Sequence, residues 1–155
     1  MVYFDYNHIH DQVTHRSVSG VISFVGLTPI SWDIKRQGTI NICSYSAEFC
    51  SGRVANEEAI TLRYMLKSLC VPVKVASELC GKKLGMIISC TNPDSDLKNK
   101  HVDISYHKLR VCTADGIFNP IKVCTMVTQS DIFTKCVLVV TLGSLYDASY
   151  GVDWA

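Results

Sequence analysis

Three acidic residues stand where a carboxylate can do more than keep the chain hydrated. Asp5 lies inside an apolar stretch, flanked by Tyr3, Phe4 and Tyr6. An acid within a strand is disfavoured unless it faces solvent or a site. Glu48 falls in the opening turn of a long helical pattern, where the helix dipole favours a negative charge. Asp131 opens a short helical pattern near the end of the chain, a position that also suits a cap. Taken singly, each acid has an ordinary structural explanation. Brought together from separate elements, they are the hard oxygen ligands that divalent cations take.

Other groups invite metal chemistry less strongly. His8, His10, Asp11 and His15 cluster, and alternate strand residues share a face. A polar turn between two strands explains the same residues more simply. Eight cysteines, at 43, 50, 70, 80, 90, 112, 124 and 136, include no C-x-x-C pair, so no zinc module is expected. They read as small hydrophobes in a reducing compartment, with Cys136 a surface thiol open to oxidation.

The elements that must position these side chains follow from the periodicities. Val2–Tyr6, Ser19–Gly26 and Thr28–Ile34 read as strands, with Pro29 near the start of the third, and suggest an antiparallel meander. From Ser46 to Leu69 the apolar residues Phe49, Val54, Ile60, Leu62, Met65, Leu66 and Leu69 approach helical spacing. Gly52 is its weak point, Ser44 or Ser46 its candidate cap, and Pro72 lies just beyond its end. Val73–Leu79 follows as a buried strand, then a helix over Leu84–Cys90 ended by Asn92-Pro93. Asn99–Cys112 reads as a helix closed by a turn at Gly116, Ile121–Val127 as a strand, and Gln129–Lys135 as a short helix. The order is β-β-β-α-β-α-α-β-α, an α/β chain with a five-stranded mixed sheet and helices packed on it.

Length and composition agree with one packed domain. The chain has 155 residues, 48% hydrophobic and 19% charged, which excludes a disordered polyelectrolyte. Lys and Arg number 15 against 14 Asp and Glu, a net charge of +1, so bulk charge makes no case for nucleic acid or an anionic membrane. No apolar run is long enough to span a bilayer. The opening reads as a strand rather than a leader, so the cytoplasm or nucleus is expected. Lys98, Lys100, Lys108 and Arg110 offer a basic stripe for a phosphate backbone, although a solvated helix face explains them as well.

Several strings are more specific than the order of elements. SYSAEF, KHVDISYHKLR and QSDIFTK resemble SSTEAEY, TKHIDIRYHFIRE and QLADILTK of the ribonuclease H domain of copia-type (Pseudoviridae) retrotransposon polyproteins. VYFDYN…RSVSG resembles that family's YSDADWAG…RSTSG, and PISWDIKRQ its LISWSSKKQ. The resemblance runs from residue 2 to about 135 and implies a ribonuclease H-like fold for residues 1–136, with 137–155 a divergent extension. By the same resemblance Asp5, Glu48 and Asp131 fall on catalytic, metal-binding carboxylates.

The fourth carboxylate of that family is missing. Its string LYCDNQSA falls on LCGKKLGM, which puts Lys82 at the aspartate, or Gly81 after a shift of one residue; Glu78 is the nearest acid. Two-metal hydrolysis holds ions about 4 Å apart between carboxylates. An ammonium at position 82 removes a ligand and adds a positive charge, and is free to pair with Asp5 or Glu48. Asn7 and His8 also replace the family's second Asp and Trp. The expectation is a ribonuclease H-like fold without the activity, needing no cofactor and working as a protein-binding module: an inhibitor, a decoy, or one of a toxin and antidote pair. Tyr146, Tyr150 and Trp154 are its candidate contacts with an unknown protein partner or a second copy. The alternative is a residual ribonuclease H that cleaves or binds RNA–DNA hybrids with Mg or Mn. A retrotransposon relic with no selected function is a third reading.

Overall fold

Five strands form one mixed sheet in the order β3-β2-β1-β4-β5 in the computed structural model. It describes residues 1–134, except 12, 42, 93, 96–102 and 125–129. Strands β1 (Val2–Asn7), β2 (Val18–Val25) and β3 (Thr28–Arg36) are the expected antiparallel meander. β4 (Ser77–Gly81) pairs parallel with β1, and β5 (Phe118–Lys122) parallel with β4. Helix α1 (Ser44–Ser68) crosses from β3 to β4, and α2 (Leu84–Thr91) and α3 (Asp103–Ala114) cross from β4 to β5. Parallel pairing requires crossovers of this kind. The short α4 (Asp131–Thr134) follows β5.

Apolar side chains from one face of the sheet meet the helices. Phe4, Val21, Leu79 and Phe118 pack with Phe49, Ala55, Ala59, Met86, Tyr106 and Leu109. Gly52 is no weak point of α1. The helix runs unbroken through it, and the movable Met86 methyl packs over the space a side chain would take. The opposite face carries a smaller cluster of Tyr3, Phe24 and Cys80, with Tyr3 and Phe24 edge to face at 5.9 Å.

Several boundaries differ from the sequence reading. β4 begins at Ser77, not Val73, because residues 71–75 lie beyond the register that pairs Ser77 with Phe118 and Leu79 with Val2. β5 begins at Phe118, not Ile121; as the edge strand it has one unpaired side, which accommodates Pro120. The cap of α1 is Cys43, which makes no side-chain cap bond. Ser44 Oγ is engaged by Lys83 Nζ at 2.5 Å, and Ser46 Oγ donates back to the Cys43 carbonyl at 2.9 Å. α3 opens at Asp103 and runs two residues past Cys112, the chain then turning at Gly116 with φ +67°. Part of the stretch expected before α3, Lys98, Lys100 and His101 included, lies outside the described residues, as do Cys136 and the extension 137–155.

All seven cysteines among the described residues are free thiols, and Cys80, Cys90 and Cys112 are buried. No helix among the described residues is long and apolar enough to cross a membrane.

Candidate functional site

The site forms where β1 and β4 end side by side. Val2 is level with Leu79 and Tyr3 with Cys80. Continuing that register past the last paired residues sets Lys82 level with Asp5. Strand alternation puts Asp5 on the face of Tyr3, and Lys82 on the face of Cys80. That is the sheet face opposite the main core.

Gly20 of β2 stands opposite Asp5. A side chain at Gly20 would meet Phe133 Cβ at 2.8 Å and Thr134 Cγ2 at 2.9 Å. The glycine therefore admits α4 onto this face. Asp131 and Thr134, three apart, share one side of that turn and point toward Asp5.

Lys82 joins the acids. Its ammonium donates to Asp131 Oδ1 and lies 3.3 Å from Asp5 Oδ1. Thr134 Oγ1 donates to the other oxygen of Asp5, and Asn7 Nδ2 donates to the Thr134 carbonyl at 2.8 Å. Asp5 is 3% exposed and Asp131 9%, so these charges sit largely out of water and need each other. Burial raises the carboxyl pKa of Asp131, with Asp5 adding to the effect and Lys82 opposing it.

Glu48 enters from the second turn of α1 and is buried. Its Oε1 accepts the Lys83 amide at 3.1 Å, while Oε2 has no partner within hydrogen-bond distance among the described residues. Burial raises its pKa, against the lowering effect of the Lys83 amide and charge. Lys83 Nζ leans over the Tyr6 ring at 5.4 Å. The ammonium of Lys82 thus pairs with Asp5 and Asp131, and Glu48 receives backbone amide instead.

This donor set does not fit a pair of divalent cations. An ammonium already occupies the oxygens of Asp5 and Asp131 that would face an ion. Among the described residues, no three His, Cys, Asp or Glu side chains are grouped to hold a metal. Glu78 lies on β4, four residues before Lys82 and on the N-terminal side of Leu79, toward the opposite end of the strand.

The remaining candidates do not join the site. Asp11 is a turn residue: Thr14 and Val13 donate to it, Arg36 pairs with it at 3.0 Å, and its pKa falls to about 2, chiefly through the Thr14 hydroxyl. His8 reaches the Asn41 carbonyl at 3.1 Å and so ties the turn to the loop after β3, while His10 reaches the Asn7 side chain at 3.0 Å within the turn. His107 is exposed, its ring edge-on to Tyr106. Lys108 pairs with Glu57 of α1 at 2.9 Å, and Arg110 donates to the Ser95 carbonyl at 3.0 Å. These two cations are tied to the protein rather than arrayed as a stripe. Tyr146, Tyr150 and Trp154 lie outside the described residues.

Sequence reasoning missed Thr134 and the Lys83 amide, and noted Asn7 only as a replacement, not as a partner of α4. Thr134 was detectable, since it follows Asp131 by one helical turn. The Lys83 amide carries no side-chain signal.

No protein-family model matches the chain. It is 27% identical over 133 residues to a retrovirus-related Pol polyprotein from transposon RE1 of Arabidopsis thaliana. It is 25% identical over 135 residues to that from transposon TNT 1-94 of Nicotiana tabacum. These alignments cover 86% and 87% of this chain but 9% and 10% of the relatives, so the chain spans about a tenth of their length. Among solved structures it is similar to RNase H1 from the halophilic archaeon Halobacterium salinarum. The TM-score is 0.54 at 15% identity, over 83% of this chain and 88% of that one.

Proposed function

From the premise that this chain is a ribonuclease H-like domain whose homologues are copia-type retrovirus-related Pol polyproteins, we propose that it does not cleave RNA–DNA hybrids and works by binding a protein partner. The observation that carries the first half is the Lys82 ammonium between Asp5 and Asp131. Hydrolysis by two ions needs carboxylates to neutralise them, and a fixed cation among those carboxylates repels both. The same ammonium relieves the repulsion that Asp5 and Asp131 would otherwise suffer, so the fold stands without a metal.

The second half rests on what the chain has kept. Phe4, Phe49, Leu79, Met86, Tyr106 and Leu109 remain close-packed around an altered site. A well-formed scaffold without the chemistry leaves surface recognition as its use, as an inhibitor, a decoy, or one of a toxin and antidote pair. It acts on this reading in the cytoplasm or nucleus, without a cofactor.

The retained Asp5, Glu48 and Asp131 favour a second reading, a weak Mg- or Mn-dependent ribonuclease H. The two readings differ in a thermal melt. A ligand that binds the native state raises Tm. Under the first reading, 10 mM Mg leaves the Tm of the natural chain where it was; a rise that Asp5→Asn abolishes would establish the second.

A further inference from the structure

Four cations elsewhere in the described residues are held in ion pairs: Arg36 with Asp11, Arg53 and Lys108 with Glu57, Lys82 with Asp5 and Asp131. One cleft gathers three that are not. It is a hollow of about 540 Å³ between the C-terminal end of α1 and the loop 71–74, into which Arg63, Lys67 and Lys74 all project. Among the described residues no Asp or Glu lines it and none of the three makes an ion pair. Three like charges in one cleft are a large concentration for a chain of net charge +1. Lys67 lies in the last turn of α1, where the helix C-terminus favours a cation, and the three charges together draw an anionic group to the cleft.

Arg63 is already aimed. Its Nη1 donates to the Val75 carbonyl and to Ser77 Oγ, both at 2.9 Å, which holds the guanidinium at the cleft wall. Lys67 and Lys74 are exposed and free to turn. The floor and wall between the charges are apolar, with Ile60, Val73 and Ile117 among them. Tyr64 extends this surface into a shallow apolar groove with Met65 and Leu69, and Leu69 is 73% exposed. The apolar surface beside these three cations offers a side chain a place to pack next to a charge it can pair with. The chain turns sharply here at Cys70, φ +58°, and the Val71 amide returns to the Leu66 carbonyl at 2.9 Å, so the rim is a defined cap. Glu78 lines an adjoining groove that shares Arg63 and Lys74 with this cleft, while Lys67 faces the cleft alone.

We propose that this cleft binds an acidic segment of a partner protein, carboxylates on Arg63, Lys67 and Lys74 and an apolar anchor against Tyr64 and Ile117. The inference rests on the partner-binding reading and gives it a surface. The cleft is separate from the altered carboxylate site: Glu48 and Lys67 are 19 residues apart on one helix, about 28 Å at 1.5 Å per residue. Charge complementarity selects the occupant, and the apolar groove beyond the cleft suits a side chain better than a sugar–phosphate strand.

The test pans a random dodecapeptide display library against the full natural chain, with depletion on the double variant Lys67→Glu/Lys74→Glu. Enriched peptides are synthesised with a fluorescein label and measured by anisotropy. The proposal expects acidic peptides with a Leu, Phe or Trp anchor, binding at least tenfold more weakly to the double variant and more weakly at 0.5 M salt, and unchanged on Lys35→Glu. Both lysines are exposed, and circular dichroism of the variant verifies that it folds. No enriched peptide, peptides without acids, or equal binding to both proteins overturns the proposal. So does a labelled dT20 strand that binds the natural chain and is lost in the variant, which would make the cleft a nucleic-acid contact. None of these outcomes depends on whether the carboxylate site cleaves a hybrid.

Discussion

Lys82 and Asp131 join the end of β4 to the start of α4 by a charge-assisted hydrogen bond, with Asp5 on the other side of the same ammonium. A cation thus belongs to the fold at the point where carboxylates from β1 and α4 converge. Removing it leaves two buried carboxylates facing each other. Lys82→Met therefore lowers stability at pH 7 by about 3 kcal/mol, the scale for breaking a buried ion pair. Urea unfolding monitored by fluorescence measures this, and a loss below about 0.5 kcal/mol would mean the pair is not holding α4.

Burial raises the carboxyl pKa of Glu48 and of Asp131. A carboxyl whose folded pKa lies above its unfolded one binds its proton more tightly in the native state. Its contribution is fully present below the unfolded pKa, near 4, and is lost as pH rises through the folded value. Glu48→Gln removes that loss while keeping the shape and the bond from the Lys83 amide. The Tm of the variant should fall less than that of the natural chain between pH 4 and pH 7. Parallel curves would count against a buried, proton-hungry Glu48.

Gly20 sets how closely α4 approaches β2. Gly20→Ala forces Phe133 and Thr134 outward and costs about 1–3 kcal/mol, as overpacking does. Asp131 moves with α4, so Gly20→Ala and Lys82→Met should be non-additive in a double-mutant cycle. Strict additivity would separate the glycine from the ion pair.

Thiol labelling maps the core. Burial pushes Cys80 up to about 11 and Cys90 up to about 12, whereas Cys70 is exposed. The thiolate is the reactive form. Iodoacetamide at pH 8 should label Cys70 in the native chain and leave Cys80 and Cys90 until denaturant is added, as read by peptide mass spectrometry.

Much of this arrangement was legible in the residues, and the rest was hidden for identifiable reasons. β-branched and aromatic alternation found β1, β2 and β3, and the long apolar period found α1. The strand expected over Val73–Leu79 begins at Ser77, because the ladder with β1 and β5 starts there. The strand expected over Ile121–Val127 begins at Phe118, because an edge strand accommodates Pro120. Position singles out Asp5, Glu48 and Asp131, the resemblance gives them a role, and the fold brings Asp5 and Asp131 onto Lys82. Lys82 is expected to pair with Asp5 or Glu48; it pairs with Asp5, not Glu48, and its bond to Asp131 depends on α4 packing against Gly20, which no local pattern encodes.

Cleavage of a labelled RNA–DNA hybrid, with Mg and with Mn, tests the central claim most directly when the natural chain is compared with Lys82→Asp. The account predicts no product from the natural chain and metal-dependent product from the variant, lost again on adding Asp5→Asn. Cleavage by the natural chain that Asp5→Asn abolishes would contradict it, because the Lys82 ammonium would then coexist with the chemistry it is held to exclude.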